Sequence, residues 1–179
     1  MNKKENNIVY VFVDTQNLNK SFKKLGFDLD YKKLYLFLTE QFNTKKIYLF
    51  LGYIKQYQNF YNKLSSFGYK LIFKPIVIQK KIIKGNCDAD LVLHAMLQYK
   101  NYDKAVIVTG DGDFHCLIEY LAQHNKLEAI AIPNIKSCSS LLRKFKKYFF
   151  LLENYKNEFV KNNNKIVIHK LINSEVCKK

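Results

Sequence analysis

The sequence predicts an α/β fold with a mostly parallel central sheet flanked by helices. Three observations carry that prediction. Short, continuously apolar runs recur along the chain, the pattern of strands covered on both faces. Stretches with helical spacing separate them, so β and α elements alternate. Carboxylates gather just after strand ends or at a helix start, where open parallel sheets bind their ligands.

The first strand is residues 8–13 (IVYVFV), closed by Asp14. Residues 31–42 follow as a helix, with Leu34, Tyr35, Leu38 and Phe42 on one face. Residues 46–52 (KIYLFLG) form the second strand, 56–67 a helix, and 69–76 the third strand. The segment 77–86 (VIQKKIIKGN) breaks the alternation and reads as a loop or an extended arm. A helix over 88–99 leads into the strand 105–109. A helix over 113–125, a strand over 127–132, a short helix over 139–145 and a last strand over 148–152 complete the alternation. Residues 1–152 therefore form one domain, and 153–179 a basic C-terminal extension, either docked or flexible.

Thirty Lys and Arg against fifteen Asp and Glu leave a net charge of +15, which favours an anionic partner. Only Arg143 among the cations is arginine, and the Lys/Asn/Ile/Tyr/Phe bias fits AT-rich coding as well as function. Two Pro and six Gly exclude collagen-like and Pro/Gly-rich disordered chains. Cys87, Cys116, Cys138 and Cys177 have neither CxxC nor Cys/His spacing, which argues against zinc and for free thiols in a reducing compartment. No apolar run approaches the ~18 residues of a membrane span. A soluble, cytoplasmic protein without a membrane partner is the expectation.

Five of the fifteen acids fall in three short clusters. Asp14 ends the first strand, Asp88 and Asp90 open a helix, and Asp111 and Asp113 follow the strand 105–109. Like charges brought together need a proton or a cation to neutralise them. Hard oxygen donors in this number suit Mg²⁺ or Mn²⁺. Taken singly, Asp14 and Asp88 also fit helix N-caps, and Asp111-Gly-Asp113 fits a turn with Gly110 and Gly112 at positive φ. Together, beside a basic surface, they point to metal-assisted phosphodiester hydrolysis.

Residues 11–18 (VFVDTQNL), 84–93 (KGNCDADLVL) and 106–114 (VIVTGDGDF) resemble, in order and spacing, the NYN domain. The likeness is nearest to its LabA-like branch, within the PIN-like nuclease superfamily, and spans roughly residues 7 to 152. It implies a Rossmann-like PIN-type fold and a metal-dependent endoribonuclease using Mg²⁺ or Mn²⁺, with RNA as partner. The family's first acid falls on Asp14, its asparagine on Asn17, its helix acid on Asp88 and its last pair on Asp111 and Asp113. Thr109 takes the Ser/Thr position before that pair, and Asp90 stands at a variable one. Where many relatives carry a further acid in the helix, this chain has His94.

Around these residues, Asn17 is suited to donate its amide to a carboxylate or a phosphate oxygen, or to serve as a cap. Thr109 either bonds the Asp111 loop or packs. Lys80, Lys81 and Lys84 form one basic run, and Arg143, Lys144, Lys146 and Lys147 another. Ser139 and Ser140 begin the short helix, whose N-terminus would face a phosphate. The RNA contacts expected are thus Lys84, Ser139, Ser140, Arg143 and Lys144. His94 and His115 read as structural more readily than catalytic. Cys116 beside His115 is not a nucleophile, because adjacent helical residues face apart.

Two functions compete: a ribonuclease, and an RNA-binding regulatory NYN domain with little or no turnover. Phosphatase chemistry of the haloacid dehalogenase type ranks low, because Asp14-Thr-Gln16 lacks a second aspartate. A homo-oligomer is compatible with the sequence.

Overall fold

The computed structural model describes residues 7–74, 77–79, 82–84 and 87–161. Six strands form the central sheet: β1 (Val9–Asp14), β2 (Thr44–Gly52), β3 (Lys70–Lys74), β6 (Lys104–Val108), β7 (Leu127–Ile132) and β8 (Phe149–Leu151). Two further strands, β4 (Val77–Gln79) and β5 (Ile82–Lys84), pair only with each other. The main sheet is parallel throughout, in the order β3-β2-β1-β6-β7-β8. The order reverses direction between β1 and β6, and the crevice beyond their carboxyl ends is the topological switch point of a doubly wound sheet.

The sequence of β1 shows why it lies at the centre. All six residues are buried. Alternate side chains serve opposite faces. Val9, Val11 and Val13 join the core beneath α1 (Thr15–Lys24), α2 (Tyr31–Phe42) and α3 (Gln58–Ser66). Tyr10 and Phe12 join the core beneath α4 (Asp88–Leu97) and α5 (His115–Gln123). There Phe12 stacks on Tyr48 at 5.3 Å and meets Tyr102 edge-on at 5.7 Å.

The α/β class and the six sheet strands agree with the sequence, and several details differ. The sequence reading offers Asp14 as a fitting N-cap but gives helix α1 no range, since its only large apolar residues are Leu18 and Phe22. Those two are fully buried one turn apart, and Asp14 caps the helix by accepting from Asn17 N–H at 3.0 Å. Within 77–86, expected as a loop or an extended arm, Val77–Gln79 and Ile82–Lys84 pair antiparallel, with Val77 opposite Lys84. The expected short helix is a 3₁₀ run, Ser140–Tyr148, kinked at Phe145. Its buried residues Leu142 and Phe145 lie three apart, the spacing that 3₁₀ geometry aligns.

Beyond β8 a 3₁₀ turn, Leu152–Tyr155, leads to α6 (Lys156–Phe159). Phe159 is fully buried, with its ring 5.5 Å from Phe22 and 5.0 Å from Phe37. Val160 bridges Leu29 in antiparallel fashion. Lys80, Lys81, Cys177 and the rest of 162–179 lie outside the described residues.

Phe159→Ala removes a ring shared by three elements and should cost about 3–5 kcal/mol. Urea unfolding of the purified chain measures it. A loss below about 1 kcal/mol would mean that 153–161 is dispensable to the fold.

Candidate functional site

The carboxyl ends of β1 and β6 are tied together by one hydroxyl. Thr109, wholly buried, follows β6 and donates its Oγ1 hydrogen to Asp14 Oδ2 at 3.0 Å. The same oxygen accepts from Asp111 N–H at 3.0 Å. Asn17 adds a second tie, its Oδ1 accepting from Gly110 N–H at 2.9 Å. The side-chain oxygen of Asn17 is therefore committed to the chain. Asp111 Oδ1 in turn accepts from Asp113 N–H at 3.1 Å, which starts the 3₁₀ turn Gly112–Phe114 before α5.

Gly110 and Gly112 are absent from the positive-φ residues, so the expected positive-φ turn does not form. Gly112 answers a different need. A Cβ there would collide with the Ser139 side chain and lie 3.0 Å from Leu141. Ser139 also donates its backbone N–H to Gly110 O at 2.9 Å, seating the loop after β7 on the acidic turn.

This scaffold, with the first turn of α4, brings Asp88, Asp111 and Asp113 together: one carboxylate oxygen from each lies within 4.8 Å of the others. Asp88 and Asp111 are partly buried and Asp113 is exposed. Two oxygens on one cation, at 2.0–2.6 Å each, stand no more than about 4–5 Å apart. The three therefore fit a hard divalent ion with small adjustment.

Asp14 sits deeper, 8% exposed, with each carboxylate oxygen already holding a hydrogen bond. Burial pushes its pKa from 3.8 to about 6, against the lowering effect of the bonds from Asn17 and Thr109; the charges of Asp88 and Asp111 raise it further.

Asp90 faces away toward β3, where its carboxylate lies 3.9 Å from Lys74 Nζ. Lys74 has no place in the sequence reading of the site. It appears there only as a strand residue, and nothing in a linear spacing of 16 residues announces the contact.

The Nδ1 of His94 donates to Asp90 O at 3.1 Å, and its ring lies 5.7 Å from Phe50. A carbonyl only accepts, so the proton sits on Nδ1. His115 Nδ1 donates to Gly112 O at 3.0 Å by the same logic. Its Nε2 lies 3.3 Å from Cys116 Sγ, so these neighbours do meet, contrary to the expectation that they face apart. The Cys87 thiol, at the start of α4, is pushed up to about 11, chiefly by burial and then by Asp90.

Of the basic residues, Lys144 binds Glu119 at 2.7 Å and Arg143 is exposed. The first free N–H of the 3₁₀ run, at Leu141, is taken by Ser139 Oγ at 3.3 Å, and Ser140 is exposed. The N-terminus is thus capped from within. Lys84 lies on β5, and its side chain is outside the described residues.

The family model of the NYN domain matches residues 8–153. The chain belongs to the NYN domain family. The three motifs that build the site thus lie inside one family-defined NYN domain, and the parallel α/β sheet is its frame. A solved structure of a protein of unknown function, VPA0982 from Vibrio parahaemolyticus, is similar over 90% of this chain and 100% of its own, with TM-score 0.69 and 20% identity. That likeness is one of fold. A T5 D15 protein co-crystallised with metal ions resembles 78% of this NYN chain and 59% of its own, with TM-score 0.45 and 11% identity, too distant to carry an argument. No curated protein matches significantly.

The raised pKa of Asp14 sets a pH dependence for the metal-free protein. Below pH 3.8 the carboxyl is protonated folded and unfolded; above about 6 it is ionised in both, and folding must bury a charge. Stability should therefore fall as pH rises from about 4 to about 6, by about 3 kcal/mol at ~1.4 kcal/mol per pH unit. Urea midpoints in EDTA across that window, for the parent and Asp14→Asn, measure the difference. Parallel profiles would assign the effect to another group.

Proposed function

We propose that this NYN domain is a metal-dependent endoribonuclease of the LabA-like branch, acting on RNA in the cytoplasm. The observation that supports it is the convergence of Asp88, Asp111 and Asp113 beyond the sheet's switch point, in a chain of net charge +15. An acidic cluster is the wrong sign for holding phosphates by itself. A divalent cation resolves that conflict.

Asp88, Asp111 and Asp113 would hold Mg²⁺ or Mn²⁺, with Asp14 as the buried carboxylate beside them. When bound, such an ion polarises a phosphoryl oxygen and lowers the pKa of a water. The chain's own residues supply position. Thr109 and Asn17 fix the 110–113 loop against Asp14 and α1, so that Asp111 and Asp113 would need only a small adjustment to share an ion with Asp88. Asp14, buried and bonded by Thr109 and Asn17 N–H, would add a negative charge beside them. Exposed Arg143 and the lysine-rich surface carry the phosphate backbone. Among the described residues no helix is long and apolar enough to cross a membrane.

Asp111→Asn keeps the shape of the side chain and removes one anionic donor. Cleavage of labelled single-stranded RNA in Mg²⁺ or Mn²⁺ should fall about a hundredfold or more, and EDTA should abolish it in the parent. Mg²⁺ should also raise the Tm of the parent more than that of Asp111→Asn, by up to about 2.7 kcal/mol of stability at a hundred times Kd. Salt-sensitive RNA binding with no cleavage by the parent would establish the regulatory, non-cleaving reading instead. Cleavage by Asp111→Asn at the parental rate would remove the site.

A further inference from the structure

At the carboxyl ends of β2 and β3, two aromatic rings stand in solvent. Tyr53 is 41% exposed and Phe73 38% exposed. They meet edge-to-face, with centroids 5.5 Å apart and planes at 80°. In that arrangement the ring offering its edge keeps both faces clear of its partner.

The mount beneath them is rigid. Tyr61, on α3, packs against Phe73 at 4.8 Å and Tyr53 at 5.8 Å. Its hydroxyl donates to Gly52 O at 3.1 Å and accepts from Ile54 N–H at 3.0 Å, clasping the backbone on either side of Tyr53. Tyr53 N–H donates to Lys74 O at 3.1 Å, which locks the end of β2 to the end of β3. An exposed aromatic side chain held this firmly loses little entropy when something packs on it.

The surroundings specify what packs. Lys55 is exposed two residues beyond Tyr53, and Lys74, next after Phe73, turns to the other face of β3 toward α4. The Lys74 ammonium lies 3.9 Å from Asp90, both side chains about one-third exposed, and Asp90 is two residues from Asp88. Asp14 pairs with Phe50, so Tyr53 lies three residues further along the neighbouring strand. That is about 10 Å along and 5 Å across from Asp14. Exposed rings with lysines beside them at the carboxyl end of the sheet match a strand whose bases are free to stack. A duplex keeps its bases to itself.

We propose that Tyr53 and Phe73 form a base-stacking platform that takes single-stranded RNA, with Lys55 and Lys74 on its phosphates, and feeds it to the acidic cluster. The proposal rests on the RNA reading above and names its substrate class: single-stranded rather than duplex.

The test is fluorescence anisotropy with a labelled oligoribonucleotide, an abasic oligomer of the same length and an RNA duplex, in Ca²⁺ with the full chain. The parent should bind the base-bearing single strand about tenfold or more tighter than the abasic oligomer and the duplex. Tyr53→Ala should erase about tenfold of that preference while leaving abasic binding unchanged. Tyr53→Phe, which keeps the ring, should retain it, and Phe73→Leu should reduce it. A parent that shows this preference for the base-bearing single strand but cleaves none of the RNA in Mg²⁺ or Mn²⁺ overturns the nuclease and leaves the platform. Equal binding of base-bearing and abasic oligomers by the parent would overturn the platform. So would equal losses for both oligomers in Tyr53→Ala, no RNA binding by the parent, or a dimer that Tyr53→Ala dissociates without changing RNA affinity.

Discussion

The bond between the Thr109 hydroxyl and Asp14 is the constraint on which the site rests. It joins residues 95 apart in sequence, at the two strands where the sheet reverses its order. The hydroxyl gives its one proton to Asp14 and accepts from Asp111 N–H, so its position fixes both sides of the crevice. A buried hydroxyl is tolerated only when its bonding is satisfied, and here that requirement coincides with the geometry the acids need. Asn17 and Ser139 reinforce the same loop from opposite flanks, through the N–H and the carbonyl of Gly110 respectively.

The arrangement is also an electrostatic gradient. Asp14, at the bottom, is desolvated and raised to about 6, while Asp113 at the rim is exposed. Two hydrogen bonds pull Asp14 toward ionisation, and burial outweighs them. The charges of Asp88 and Asp111 push in the same direction as burial. A cation held by the outer acids would reverse the sign of that push, so occupancy of the rim and the protonation state of the floor are coupled.

Much of the fold was legible because burial on both faces leaves a plain mark: β1 is apolar at every residue before Asp14 since each face has its own layer of helices. Helix α1 was not, because two buried residues among ten carry too little pattern. The acids could be found by their places in the chain. Their division of labour could not, since only the folded neighbours show that Asp14 sits below the other three and that Asp90 turns toward Lys74. Commitments of polar groups were the least visible. Nothing in the sequence shows that Asn17 spends its oxygen on Gly110, that Lys144 is held by Glu119, or that Gly112 exists to admit Ser139.

The pairing of β1 with β6 has a consequence for the chain as it is made. A ribosome delivers β1, β2 and β3 in order, and these can pair as they emerge. The flank of β1 that β6 will occupy stays open until residue 108 is out, an edge of unpaired peptide groups in the interim. Asp14 waits as long for Thr109, and the Leu29–Val160 bridge closes only when the described domain is nearly finished. The lysines emerge continuously, and the carboxylate cluster assembles late. A nascent chain is therefore polycationic well before its carboxylates are gathered, and any early encounter it makes with a polyanion is governed by charge alone.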